Sequence, residues 1–235
     1  MSLRTSFAEA QLLLQPIQMT GNSIRQACSR LLLRVVIPFR RIRLRNRAVS
    51  LISNDCWSSF MYQFYRIPFN SPFAGLFIMP DDYLHMLEHP DILSQPIIMG
   101  SASDSRHRAA LAHLPEYPLG FLPGGVEIHF LHYKSQDEAR EKWTRRVSRI
   151  DWNNAIVKLS ENNGCTEGHL RRFDALPYRC KVAFTSRPYP GLESVCTLRE
   201  FSGEEQLGRY WKIAELHWSV GRHANRLLRS ISKKD

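Results

Sequence analysis

The chain has 235 residues, of which 43% are hydrophobic, and this is enough for one large domain with a substantial core. The net charge of +10 belongs to the two ends, because residues 1–47 carry nine Arg and one acid and residues 222–235 carry five basic residues and one acid. No RNP, zinc-finger or helix-turn-helix pattern accompanies these basic ends, so a nucleic-acid partner is not expected.

The five cysteines are scattered and form no C-x-x-C pair, which argues against a disulfide framework or a zinc site and favours a reducing cytoplasm. No secretory signal is visible, and the longest apolar run, around "LLLRVVIPF", is too short and too interrupted by Arg34 and Pro38 to span a bilayer. Neither a G-x-G-x-x-G motif nor a P-loop occurs. We therefore expect a cytoplasmic protein without a metal or a cofactor.

Residues 22–36 have the pattern of a basic amphipathic helix. Asn22 and Ser23 are suitable caps, apolar side chains follow at helical spacing, and arginines fall largely on the other side. The helix either docks on the domain or lies on the anionic inner surface of a membrane, to which the protein would then be peripheral. The charge distribution divides the chain into an amphipathic appendage at 1–47, an α/β domain at 48–221 and a basic tail at 222–235.

From residue 48 the sequence alternates short β-like segments with helical ones. The β-like segments are "AVSLIS", "QPIIMG", "VEIHFLHY", "AIVKL", "KVAFTS" and "SVCTLREF". Helical patterns occur at 56–66, 80–90, 136–149, 167–175 and 204–217. Ser135 and Glu138 form a capping box before the third of these helices. The alternation predicts an α/β fold with a single mixed or mostly parallel sheet flanked by helices, and the aperiodic residues 100–124 are predicted to form a long loop.

Cys56 follows the first β-like segment, within "VSLISNDCWSSFMYQF". If Asn54 or Asp55 caps the next helix, the thiol lies in the first turn, where free amides and the helix dipole stabilise a thiolate. The aromatic residues that follow recur at helical spacing and would hold this helix on the sheet. Cys56 is therefore interpreted either as a nucleophile or as a small residue of the core.

A cysteine nucleophile needs a base, and "GGVEIHFLHY" offers two histidines. Strand alternation places His132 on the more apolar face and His129 with Glu127 on the other, so Glu127 is suited to orient His129. Either histidine would complete a Cys–His pair for acyl transfer, and structural roles for both are the alternative.

Four cations on the third predicted helix form a second candidate site. Lys142, Arg145, Arg146 and Arg149 lie opposite its apolar stripe, and guanidinium groups suit phosphate or carboxylate. A sugar nucleotide or a lipid-linked pyrophosphate would fit such a site, and we assign Asn54 to substrate binding with it. A solvated basic face is the alternative interpretation.

Seven ordered blocks lie between about residues 47 and 200. They are "VSLISNDCWSSFMYQF", "NSPFAGLFI", "DYLHML", "YPLGFL", "VEIHFLHY", "EAREKWTRRVSRI" and "FDALPYRCKVAFT". Together these blocks resemble a bacterial family of unassigned function whose members are commonly labelled exopolysaccharide biosynthesis proteins. The resemblance implies an α/β fold and a role in capsule or surface-polysaccharide synthesis, and it supplies no established catalytic residues.

A more distant resemblance involves the order of a strand, "NDCWSSF", "SPF", a His-containing strand and an Arg-rich helix. This order is similar to proteins predicted to have papain-like cysteine-hydrolase folds, and it implies a catalytic Cys56. The chain departs from that pattern because no glutamine precedes Cys56 where the oxyanion partner would lie, and no third member of a triad is assigned.

These observations lead to one leading hypothesis and two alternatives. The leading hypothesis is a transferase of surface-polysaccharide biosynthesis that acts on an activated or lipid-linked sugar, with Cys56 and a histidine near the reacting group. The first alternative is a papain-like cysteine hydrolase or acyltransferase in which Cys56 is the nucleophile. The second is a non-enzymatic accessory protein of polysaccharide assembly at the membrane surface.

Overall fold

Two β-sheets form the framework of the fold. The computed structural model describes residues 21–231. The larger sheet is parallel and consists, in spatial order, of β1 (Ser50–Ser53), β5 (Ala155–Ser160), β6 (Lys181–Thr185) and β7 (Val195–Thr197). The smaller sheet is antiparallel and consists of β2 (Ile98–Ser101), β3 (Pro118–Leu122) and β4 (Val126–His129).

Helices flank the larger sheet. They are α1 (Gly21–Arg43), α2 (Trp57–Tyr65), α3 (Pro80–Glu88), α4 (Gln136–Val147), α5 (Glu167–Ala175), α6 (Trp211–His217) and α7 (Val220–Ile231). Local sequence accounts for several of their starts, since Pro80 occupies the first position of α3, where a missing N–H costs nothing. Ser135 caps α4 by accepting a hydrogen bond from the Glu138 backbone N–H at 3.2 Å.

The parallel strands contribute side chains to two apolar cores, one on each face of the sheet. Ile52 and Val157 belong to the core formed with α3, α4, α5 and the smaller sheet. Leu51 and Ile156 belong to the core formed with α2, α6 and α7. Because side chains alternate along a strand, Lys158 points to the same face as Ile156, toward α2.

The α/β class is confirmed, but the strands are divided between two sheets instead of one. Strand β3 lies inside the segment predicted to be a loop. The sequence did not predict this strand because its short apolar run "PLGFL" is bounded by prolines and has no recognisable period. Strand β4 ends at His129, where a tight turn begins in which the Leu131 N–H donates to the His129 carbonyl at 3.1 Å. The β-like pattern that continues to residue 133 is therefore not all strand.

Helix α1 extends beyond its predicted end at residue 36, through Pro38 to Arg43. It is attached to the domain by a 3.0 Å ion pair between Arg40 and the buried carboxylate of Glu215. The chain that follows is packed as well, since Leu44 is only 6% exposed. The predicted boundary at residue 47 therefore lies within packed structure.

Both basic ends fall partly outside the described residues. Residues 1–20 of the predicted appendage and residues 232–235 of the predicted tail are not described. The rest of the predicted tail, up to Ile231, forms most of α7, and its Ala224 and Leu227 are buried against the domain. Across residues 21–231, no helix has the length and apolar character needed to cross a bilayer.

Candidate functional site

A pocket of about 530 Å³ opens at the carboxyl ends of β1 and β5. Parallel α/β sheets bind ligands at this edge, because the loops that follow the strands leave a crevice there. We call it the carboxyl-edge pocket. Its lining comes mainly from residues 55–60, 110–114, 162–164 and 206–211, with Phe77, Met79 and Leu131.

Asp55 connects the pocket to a buried network of polar side chains. Its Oδ1 atom lies 2.7 Å from Lys158 Nζ and accepts the Trp57 backbone N–H at 3.0 Å. Its Oδ2 atom accepts hydrogen bonds from Ser160 Oγ at 2.9 Å and from the Tyr210 hydroxyl at 2.7 Å. A carboxylate offers about four acceptor positions, so these donors saturate Asp55 and fix its orientation.

Lys158 carries the positive charge of this network, and its side chain has no exposed surface. The ammonium also lies 3.2 Å from Asn54 Oδ1 and 5.1 Å from the centroid of the Tyr210 ring. Burial lowers the pKa of Lys158, and the charge of Asp55 opposes that shift. Burial alone would raise the pKa of Asp55, but the charge of Lys158 and the hydrogen bonds lower it on balance. Asp55 is therefore ionised at neutral pH and held in an ion pair.

Aromatic rings form much of the pocket's surface. Phe60 of α2 and Trp211 of α6 are stacked, with ring centroids 3.9 Å apart and ring planes 3° from parallel. Both line the pocket together with Trp57, Phe77 and Tyr210. Such faces bury apolar area and fix the orientation of a ring-shaped ligand.

Side-chain amides form another part of the lining. Asn162 accepts the Leu207 N–H at 2.7 Å and donates to the Leu207 carbonyl at 3.3 Å, which joins the turn after β5 to the segment before α6. Asn163 and Gly164 both have positive φ values, 55° and 78°, a conformation that Asn and Gly adopt at least cost. Within residues 21–231, the side-chain amides of Asn163 and Gln206 have no hydrogen-bond partner.

The segment at 105–114 supplies another part of the pocket, including the exposed imidazole of His113. Two buried acids anchor the start of this segment. Ser105 Oγ donates to Glu127 Oε2 at 2.6 Å, and the Arg106 N–H donates to Glu127 Oε1 at 3.0 Å. The Arg106 guanidinium forms an ion pair with Asp82. Ala110, Leu111 and Leu114, farther along the same segment, line the pocket.

Cys56 lines the carboxyl-edge pocket and is half-buried directly before α2. Its thiol donates to the Leu76 carbonyl at 3.6 Å. Burial, followed by the negative charge of Asp55, raises the pKa of the Cys56 thiol to about 12, and Lys158 offsets this only in part. Burial and the charge of Asp55 therefore outweigh the stabilisation of a thiolate that the start of a helix was expected to provide. The thiol is protonated at neutral pH.

The structure does not bring Cys56 together with either candidate histidine. In the described part of the chain, no imidazole lies within hydrogen-bonding distance of its sulfur. His129 is fully buried, with Nδ1 at 3.0 Å from the Tyr117 hydroxyl and its ring stacked on Phe77. His132 is exposed in the turn after β4. The expected Cys–His pair is absent because β4 ends before His132 and because His129 faces Tyr117.

Glu127 lies beside His129, as the alternation predicts, but the two side chains are not hydrogen-bonded. Glu127 Oε2 is 3.7 Å from His129 Nε2, which has no hydrogen-bond partner within residues 21–231. The carboxylate accepts from Ser105 and Arg106 instead. Burial lowers the pKa of His129 to about 4 despite the attraction of Glu127. His129 is therefore a neutral, buried side chain at physiological pH.

The four cations predicted to bind an anion do not line the carboxyl-edge pocket. Each has a partner within the protein: Lys142 with Glu138, Arg145 with Glu141, Arg146 with the Tyr133 hydroxyl, and Arg149 with the Phe69 carbonyl. Asn54 is fully buried and directs its Oδ1 to Lys158 and Ser160. The phosphate site on this helix stays a prediction.

One group of side chains has metal-ligand character. The ligand atoms of His85, Glu88 and His89 lie within 4.8 Å of one another at the end of α3. Glu88 already forms a 3.1 Å ion pair with Arg172, so a metal ion would compete with the guanidinium for this carboxylate. None of the three lines the carboxyl-edge pocket, so they have no part in its chemistry.

The pocket depends on residues that no sequence pattern connects with Cys56. Tyr210 is 155 positions from Asp55, its hydrogen-bond partner, and Trp211 lies beside it. Lys158 did offer a signal, because a lysine within the otherwise apolar strand "AIVKLS" needs a buried acid as partner. The sequence alone does not indicate which acid that is.

The family described as "Domain of unknown function (DUF1919)" matches residues 29–226, a range that contains the whole pocket and its network. The chain belongs to this family. An uncharacterized protein of Haemophilus influenzae (strain ATCC 51907 / DSM 11121 / KW20 / Rd) is 36% identical over 173 residues, which cover 73% of this chain and 78% of that protein. These findings confirm a bacterial family without an assigned function. The family match begins inside α1, so most of that helix lies within the family's domain.

Proposed function

We propose that this DUF1919 protein is a transferase of bacterial surface-polysaccharide biosynthesis that binds the sugar of an activated or lipid-linked donor in the carboxyl-edge pocket. The observation that carries the proposal is the combination of the stacked Phe60 and Trp211 rings with the unpaired amides of Asn163 and Gln206. Sugar rings offer C–H faces to aromatic rings and hydroxyl groups to amides, so this lining suits a saccharide. The resemblance of the seven sequence blocks supports the biosynthetic setting.

The charges around the pocket favour a neutral ring over a phosphate. Within the described chain, no lysine or arginine lines the pocket, and its carboxylate, Asp55, is already saturated by its own donors. A phosphate placed there would lack a cation and would lie close to Asp55. We therefore assign the sugar to the pocket, and Arg145 and Arg146 remain the candidates from the sequence for the phosphate.

The proposed reaction is a displacement at the anomeric carbon of the donor. The acceptor hydroxyl oxygen forms a bond to that carbon, and the bond from the carbon to the phosphate oxygen breaks, with the phosphate keeping the electron pair. The hydroxyl proton passes to the imidazole of His113, which lines the pocket.

Isothermal titration calorimetry tests the binding part of the proposal. The titrants are UDP-glucose, UDP-N-acetylglucosamine and the two free sugars. We expect saturable binding that Trp211→Ala weakens by about two- to tenfold, the effect of losing one aromatic contact. Lys212→Ala is the matched control, because Lys212 is exposed on the same helix and does not line the pocket. Equal affinities of both variants would contradict the assignment of the sugar to this pocket.

The same titrations test the anion site predicted on α4. If Arg145 and Arg146 bind the phosphate, replacing both with Gln weakens binding of the UDP-sugars and leaves binding of the free sugars unchanged. A turnover assay with a UDP-sugar donor and a polyprenyl-diphosphate-linked sugar, whose hydroxyl groups are the acceptors, then tests the base. His113→Gln should keep sugar affinity and lose transfer, and unchanged transfer would remove His113 from the mechanism.

A cysteine hydrolase or acyltransferase is a second candidate, because Cys56 and His113 line the same pocket. In that reaction Sγ forms a thioester with the acyl carbon, and the leaving group departs with the electron pair and takes the thiol proton through the base. Water or an acceptor hydroxyl then bonds to the acyl carbon, the C–S bond breaks, and Sγ keeps the electron pair and regains a proton from the base. Cys56→Ala would abolish turnover under this candidate and leave sugar transfer intact under the first. Sugar binding without any turnover would instead support the accessory-protein alternative.

A further inference from the structure

The large apolar side chains of α1 that the structure describes as exposed all lie on one face. They are Ile24, Leu31, Leu32, Phe39 and Ile42, and they are 50% to 83% exposed. Because an α-helix turns by about 100° per residue, their spacing places all of them within an arc of about 100°. The helix therefore carries a continuous apolar stripe that the described part of the protein does not bury.

The side chains of α1 that the structure shows in contact with the domain lie on the opposite face and are polar. Gln26 Nε2 donates to the Glu200 carbonyl at 3.0 Å, and Ser29 Oγ donates to Glu200 Oε1 at 2.7 Å. Farther along the same face, Arg40 pairs with Glu215. A helix that packs on its own protein normally buries apolar side chains, whereas these described contacts of α1 are polar.

A basic cleft of about 940 Å³ lies between the end of α1 and α7. Its lining includes Arg40, Arg43, Arg45, Arg222 and Arg229 and contains no acidic residue. Within residues 21–231, Arg40 is the member of this group that is paired with a carboxylate. The exposed side chains of Ile42 and Leu228 line the same cleft, so apolar and cationic groups are interleaved there.

We propose that the apolar stripe of α1 and this arginine cleft together form a docking surface for an anionic lipid bilayer. Among the side chains that the structure describes, six of the seven large apolar ones that are exposed belong to α1 or α7, and the seventh is Ile98 on β2. An interfacial helix uses apolar side chains to enter the acyl boundary and basic side chains at its edge to meet anionic headgroups. A nucleic acid would use the arginines and leave the apolar stripe in water, so the bilayer accounts for more of the surface.

Vesicle flotation of the full chain tests this proposal. The vesicles contain phosphatidylcholine alone or phosphatidylcholine with phosphatidylglycerol. We expect binding to the anionic vesicles only, and Arg43→Gln and Arg222→Gln should each lower the partition coefficient about fivefold. Phe39→Ser should lower it by about tenfold, the effect of one lost apolar side chain. Phe39 is 62% exposed, so we expect its replacement to leave the thermal unfolding temperature unchanged.

Two control variants remove the same side-chain types from other surfaces. Ile98→Ser removes a 70% exposed apolar side chain, and Arg140→Gln removes a half-exposed guanidinium on α4. Both should bind anionic vesicles as the unaltered chain does. Equal losses for controls and test variants would overturn the proposal. So would a result in which Arg43→Gln and Arg222→Gln reduce binding of inorganic pyrophosphate or an oligonucleotide but leave vesicle binding unchanged.

Discussion

Replacing Asp55 with Asn would leave the buried ammonium of Lys158 without its counter-ion. Lys158 has no exposed surface, and its remaining polar contact is the 3.2 Å hydrogen bond to Asn54. Removing one partner of a buried ion pair costs about 3–5 kcal/mol, because the other charge stays in the apolar interior. For a chain of this size, about 2–4 °C is lost for each kcal/mol, so Asp55→Asn should lower the unfolding temperature by about 6–20 °C.

Thermal unfolding followed by circular dichroism measures this loss, and two comparisons make it specific. Asp137→Asn is the matched control, because Asp137 is 91% exposed in its pair with Arg140, and it should leave the unfolding temperature unchanged. Asp55→Asn combined with Lys158→Met should be more stable than Asp55→Asn alone, since both charges are then gone.

The pH dependence has a defined sign. Burial lowers the pKa of Lys158 in the folded protein, and without Asp55 the shift is larger. Between that pKa and the usual lysine value of about 10.4, the unfolded chain binds more protons, so the stability of Asp55→Asn should rise with pH. An unfolding temperature that Asp55→Asn leaves unaltered at neutral pH would refute the buried ion pair.

The remaining predictions concern other parts of the chain. Iodoacetamide should label the exposed Cys28 ahead of Cys56 at neutral pH, because burial raises the pKa of the Cys56 thiol to about 12. Faster labelling of Cys56 would contradict this and support a nucleophilic role for it. A chain that starts at residue 47 should unfold at a lower temperature than one that starts at residue 21, because it lacks the packed residues after α1, and equal temperatures would make α1 a dispensable appendage. Burial lowers the pKa of His129 to about 4, so between pH 6.5 and 4 the unfolded chain binds more protons than the folded one. The free energy of unfolding should therefore decrease as the pH falls through this range, and His129→Gln should remove that dependence.

Local features of the fold were predictable from the sequence, and the features that define the pocket were not. Capping and periodicity involve neighbouring residues, so the helix after Ser135 and the helix that starts after Cys56 are confirmed close to their predicted bounds. The end of β4 depends on a turn, so the pattern of "VEIHFLHY" overextends the strand and misplaces His132. The pocket depends on a contact between Asp55 and Tyr210, which are 155 positions apart, and a single sequence does not indicate such a contact. The distribution of charged residues predicted an amphipathic helix at α1, but only the structure shows that its apolar stripe faces outward.

The central claim is that the carboxyl-edge pocket binds a sugar ring against Phe60 and Trp211. Nuclear magnetic resonance of the tryptophan indole N–H groups during titration with UDP-glucose and UDP-N-acetylglucosamine tests it most directly. The proposal predicts a saturable shift of the Trp211 signal and no shift of Trp152, which packs against Tyr178 and lies outside the pocket lining. A Trp211 signal that stays in place with both sugars, or that moves no more than that of Trp152, would contradict the claim.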